Sequence, residues 1–224
     1  MPTSLYMPPA KDNFKNMPFL GLRNYVVLRN ERQLFAPVSF DLHPGQSLQL
    51  KAVNGGGKTS LLRSLYGLAI EHQGEIILNG SEATNTMLQS QCVYMNDRAG
   101  VYAHLSTAEN LRYMLMLHAV ELSSQQCNKT LERVGLMSQQ HLLAHKLSKG
   151  QKKRLHLARL HLLGKPLWLL DEPFEGLDTE GMELLREIIT YHIAAGAAVV
   201  FSSHMDAKST YRSHMQLELL GLQA

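Results

Sequence analysis

The chain has 224 residues, 45% of them hydrophobic, with a net charge of +3 and two cysteines. That apolar content fills one large core or two small ones and excludes disorder for most of the chain, and so small a charge gives no reason to expect a nucleic acid. Cys92 and Cys127 lie far apart with no His or Cys cluster, which does not indicate a disulfide framework or structural zinc site and fits a reducing compartment; no apolar run reaches the length of a membrane span, and no secretory signal is seen.

Residues 1–16 read as a flexible N-terminal arm, or as sequence upstream of a start at Met17, with one domain over 17–224. "FLGLRNYVVLRN" predicts the first strand and "RQLFAPVSFDLHPG" a second, turning at Pro44-Gly45. "SLQLKAV" predicts a strand that meets "NGGGKT", then the helical run "SLLRSLYGL". "GEIILNG" is a strand ending in an Asn-Gly turn, and "QCVYM" is another strand. The middle is helical, with S-x-x-E/Q capping boxes at Ser106/Glu109, Ser123/Gln126 and Ser148/Gln151. "PLWLLDE" and "AAVVFSS" are buried-type strands around the helix "GMELLREIITYHIAAG", and "HMQLELLGL" is a terminal strand. The order predicts a mixed α/β fold with a parallel sheet and a helical insertion.

"AVNGGGKTS" matches G-x-x-x-x-G-K-[ST] except at Ala52. Backbone N–H groups of Asn54, Gly55, Gly56 and Gly57 can converge on phosphate oxygens ahead of a helix N-terminus, with Lys58, Thr59 and Ser60 directly behind. Lys58 is suited to the β- and γ-phosphates and Thr59 to Mg²⁺. A methyl at Ala52 fits if that residue keeps a negative φ. The apolar strand "LWLLDEP" ends in two carboxylates: Asp171 to orient Mg²⁺ or its water, and Glu172 to polarise an attacking water. "LSKGQKKRLHLARL" places Ser148, Gly150 and Gln151 at a helix start, a second surface suited to phosphate. The run Lys152-Lys153-Arg154 behind it reads as an exposed helix face rather than a functional patch.

These stretches together resemble the nucleotide-binding subunit of ABC transporters over about 19–204. The family signature appears as Leu147-Ser148-Lys149-Gly150-Gln151, followed by the carboxylate Glu172, the loop "EGLD" with Asp178, and His204 after Ser202-Ser203. Lys149 stands where the family has glycine, either to assist phosphate binding or to face solvent. The resemblance implies an ATPase with a phosphate-loop α/β fold: a mostly parallel core sheet, an antiparallel β subdomain and a helical signature subdomain at about 97–157. It implies ATP with Mg²⁺, held in a head-to-tail sandwich with a second copy. Ser148, Gly150 and Gln151 would face the γ-phosphate bound by that copy, and Asp178 would link the two sites. His204 would sense the γ-phosphate in cis and position Glu172.

Two departures narrow the resemblance. Asn96 stands where most relatives carry a glutamine, and could contact Mg²⁺ or water. Arg29 falls where an adenine-stacking aromatic is usual, with Tyr25 as the alternative. Both departures, with "LSTAENL" and "PLWLLDEPFEGLD", are similar to the haem-exporter ATPases of bacterial cytochrome c maturation. That subfamily implies integral membrane permease subunits as partners and a peripheral place on the cytoplasmic face of the inner membrane. An ABC ATPase for another substrate, or a weakly hydrolysing ATP-binding assembly module, stays open beside it.

Overall fold

A computed structural model of the chain describes residues 19–96, 100–204, 211 and 213–221. The expected arm at 1–16 and the start at Met17 lie outside the described residues. Two compact units are present: a sheet unit with residues 19–96, 165–173 and 189–221, and a helical unit with 100–164 and 174–188.

The sheet unit holds two five-stranded sheets. In the first, β1 (Leu20–Arg29) pairs antiparallel with β2 (Arg32–Gln33), β3 (Val38–Leu42) and β5 (His72–Leu78), and β5 pairs with β6 (Ser81–Glu82). Asn30 and Glu31 both take positive φ between β1 and β2, as do Asn79 and Gly80 between β5 and β6. Two such residues make the tight turns whose twist matches paired strands. The single strand expected from "RQLFAPVSFDLHPG" breaks into β2 and β3. Pro37 offers no N–H to a ladder, and the break lets Phe35 turn inward, where it is fully buried. Tyr25 is also core: its ring stacks on His72 and its hydroxyl bonds Ser64.

The second sheet is wholly parallel, in the order β10 (Met215–Glu218), β4 (Ser47–Lys51), β9 (Ala198–Ser202), β8 (Leu167–Leu170), β7 (Cys92–Met95). Every residue of β8 and β9 is buried, as the unbroken apolar runs of a doubly covered parallel sheet require. Helix α1 (Lys58–Leu65) buries Leu61, Leu62 and Leu65. Helix α2 (Asn85–Gln91) went unpredicted because only Leu88 is buried, so no apolar period marks it; Thr84 caps its start.

The helical unit contains α3 (Thr107–Met116), α4 (Ser124–Arg133) and α5 (Lys149–Leu163), and α6 (Thr179–Ala194) begins in it. All three expected capping boxes form with both reciprocal bonds. Buried leucines at 111, 115, 131, 155, 157 and 160 supply its core. The basic run on α5 departs from expectation: Lys153 is only 3% exposed, and Lys152 and Arg154 are half-buried, so the run is not a fully solvated face.

Candidate active site

The carboxyl ends of four parallel strands bring the polar residues of the sheet unit together, where open α/β sheets bind their ligands. Beyond β4 the chain runs through the phosphate loop. Gly55 and Gly57 take φ of 79° and 91°, and Gly56 N donates to Val53 O. Gly57 is required twice over. Its φ is left-handed, and a Cβ there would lie 2.7 Å from the Phe35 ring. Ala52 is not among the positive-φ residues, so its methyl is accommodated. Asn54 and Gly55 are exposed, Gly56 and Gly57 buried, and Thr59 and Ser60 half-buried on the first turn of α1.

Lys58 is 7% exposed, and its Nζ donates to Ala52 O at 3.0 Å and lies 3.1 Å from His204 Nε2. Burial pulls this ammonium below its usual range, against Glu172 and Asp171. Asp171, at the end of β8, accepts from Thr59 Oγ1 at 2.7 Å and from Ser202 Oγ at 2.7 Å. Tyr94 on β7 donates to the same carboxylate at 3.4 Å, and Arg63 and Asn96 reach the Tyr94 hydroxyl. Asn96 thus joins the Asp171 network through Tyr94.

Glu172 sits at φ 47°, a conformation that costs a residue with a Cβ roughly 1–2 kcal/mol. Its surroundings hold it there. Its N–H donates to Ser202 Oγ at 2.9 Å, and its Oε2 accepts from His204 N at 3.2 Å. Oε1 lies 3.3 Å from His204 Nε2. With its proton on Nδ1 alone, His204 can accept from Lys58 at Nε2, and with a proton on Nε2 it can donate there to Glu172. Burial holds the Glu172 carboxyl above the usual carboxylate range, despite the opposing pull of His204 and Lys58. A partly desolvated carboxylate of raised basicity suits the polarising of water.

In the helical unit, Ser148, Gly150, Gln151, Arg154 and Asp178 line a pocket of about 380 Å³. Ser148 Oγ accepts from Gln151 N, and Gln151 Oε1 accepts from Ser148 N. The pocket therefore has a hydroxyl and a helix start on its wall, while the side chain of Gln151 is committed to the cap.

The family model for ABC transporters matches residues 35–175, from the turn before β3 past both carboxylates. The chain belongs to the ABC transporter ATPases. It binds and hydrolyses ATP as their nucleotide-binding subunit does. Among curated relatives, the "cytochrome c biogenesis ATP-binding export protein CcmA" of Xanthomonas campestris is 40% identical over 84% of this chain and 87% of the relative. Those of Pasteurella multocida and Methylococcus capsulatus are 36% and 40% identical, over 85% and 83% of this chain and 90% and 92% of theirs. Two solved structures share the fold. An ABC transporter ATP-binding protein from Pyrococcus furiosus has a TM-score of 0.77 at 22% identity, covering 89% of this chain and 96% of its own. The ATP-binding subunit of an ABC transporter has a TM-score of 0.78 at 24% identity, covering 90% and 86%.

For this ABC ATPase, the structure gathers Lys58, Thr59, Asp171, Glu172 and His204 into one contact network, with Asn96 one residue removed. Arg29 is exposed at the end of β1, and Tyr25, buried with its hydroxyl on Ser64, is corrected as an adenine platform. Sequence reasoning missed Tyr94 and used Ser202 only as a marker ahead of His204. Ser202 is fully buried between Asp171 and the Glu172 backbone. A serine ending an all-apolar strand is the signal that could have found it.

Proposed function

We propose that this chain powers the export step of cytochrome c biogenesis as a peripheral ATPase. In this reading it docks on integral membrane permease subunits of a haem-exporter type at the cytoplasmic face of the inner membrane. The observation that carries the reading is identity of 36–40% to CcmA proteins over more than four fifths of the chain. Among the described residues no helix is long and apolar enough to cross a membrane.

Asn54 to Gly57 receive the phosphates on backbone N–H groups, and Lys58 moves its ammonium from Ala52 O to their charge. Thr59 Oγ1 and Asp171 Oδ2, hard oxygens 2.7 Å apart, suit Mg²⁺, which neutralises phosphate charge when bound. Glu172 orients the attacking water and takes its proton, and His204 holds that carboxylate from two sides. Asn96 transmits the state of the Asp171 network through Tyr94, and Arg29 stacks its guanidinium on the base. A second copy completes each site head to tail with Ser148, Gly150, Gln151 and Asp178.

Fractionating cells with and without the haem-exporter permease tests the assignment. The chain is expected with membranes when the permease is present and in the soluble fraction when it is deleted. Undiminished membrane retention after deletion overturns this function and leaves the ATPase chemistry standing.

A further inference from the structure

Three basic residues in and behind the signature turn, Lys149, Lys153 and Arg154, bend toward the loop 175–178. Lys153 is 3% exposed and donates its ammonium to Glu175 O. Arg154 Nη2 lies 2.6 Å from Asp178 Oδ1 and 3.5 Å from Glu180 Oε2. Lys149 lies along Gly176, with its Nζ 3.8 Å from Glu175 Oε1. The backbone is shaped to match. A Cβ on Gly150 would come within 3.2 Å of Gly176 O, and one on Gly135 within 2.8 Å of Arg154 Nη1. Asp178 also caps α6, accepting from Gly181 N at 2.9 Å through the same oxygen that Arg154 grips.

Burying an ammonium and most of a guanidinium is costly unless both are paired. Placing both against one four-residue loop fixes that loop before any ligand arrives, and a surface fixed in advance loses less entropy on association. We propose that Lys153 and Arg154 are positioning residues that clamp the loop 175–178 to the first turns of α5. Ser148, Gly150 and Asp178 then form one preset surface for the nucleotide held by a second copy of the chain. This role rests on the head-to-tail reading. Lys149 adds an outer, solvent-screened strut, being more than half exposed, as is Glu175.

The test uses Arg154→Met and Lys153→Met, which keep the apolar stem and remove the charge, with Arg154→Lys as the conservative variant. In the full chain without nucleotide, amide hydrogen exchange at residues 175–178 is expected to quicken about tenfold in both Met variants. In the Glu172→Gln background, ATP-driven self-association followed by sedimentation is expected to weaken about tenfold. ATP affinity of the dilute chain and its melting temperature are expected to hold, and Arg154→Lys to restore most of the association. Unchanged exchange overturns the clamp. Quickened exchange with unchanged association overturns the positioning role, as does a parallel loss of ATP affinity and melting temperature, which marks general damage. If the Glu172→Gln parent itself stays monomeric with ATP and magnesium, the head-to-tail reading fails and the positioning role falls with it, while the exchange result still decides whether the clamp exists.

Discussion

The sheet unit and the helical unit treat buried polar groups differently. In the sheet unit, Lys58, Asp171 and Ser202 are nearly or fully buried, and each bonds a residue that also serves the site. Removing one leaves its neighbours unsatisfied, so chemistry and local stability share the same atoms. In the helical unit the pocket residues Ser148, Gln151 and Asp178 spend their bonds on capping and bracing. The same unit buries His156 at 2% exposure with no hydrogen-bond partner at either ring nitrogen among the described residues. In the proposed function the first unit does the chemistry, and the second holds a surface still.

The largest effect that breaks this contrast belongs to Lys58→Ala. In the proposed mechanism its ammonium serves phosphate rather than the apolar core, so turnover is expected to fall by about 100-fold or more. Far-UV circular dichroism should be unchanged. Near-normal magnesium-dependent hydrolysis in the purified variant would remove Lys58 from the site.

Glu172→Gln keeps the shape and removes the proposed base. Hydrolysis is expected to drop by about 100-fold with ATP binding retained. Because burial raises this carboxyl, the wild-type pH profile should lose activity as pH falls through a value above the ordinary carboxylate range. Proton affinity raised by folding also means that the ionised form costs stability, a cost that grows as pH rises through that value. The Gln variant should therefore melt no lower than wild type at neutral pH. An acidic limb at or below the usual carboxylate value would contradict the desolvated-base assignment.

The smallest effect sharpens the contrast from the helical side. Burial lowers His156 from 6.5 to about 3. The unfolded chain takes up this proton below about 6.5 and the folded chain does not, so stability is lost as pH falls through that window. His156→Leu is expected to stabilise by about 1–2 kcal/mol, by removing a buried group that has no hydrogen-bond partner among the described residues. It should also flatten the fall in melting temperature between pH 7 and pH 4, roughly the window between the two values. Thermal melts at several pH values check both, and hydrolysis at neutral pH should be unaltered.

By itself the sequence determined whatever depends on neighbours along the chain. The glycine loop, the three capping boxes, the Asn79-Gly80 turn and the apolar runs of β8 and β9 follow from short-range sterics and period, and each was legible. The order of Lys58, Ser148, Glu172, Asp178 and His204 was legible as well, because each sits in a short motif. Tertiary structure decided what depends on distant pairing. It broke the second expected strand at Pro37 so that Phe35 could pack beneath Gly57. It took Tyr25 into the core, where its hydroxyl meets a serine 39 residues away. It made Ser202 and Tyr94 partners of Asp171 across parallel strands, a pairing no local pattern encodes. It also turned Lys153 and Arg154 from an apparent solvent face into a grip on the loop at 175–178. Charge in a sequence says how much solvation a side chain would forfeit on burial, and only the folded chain says what replaces it.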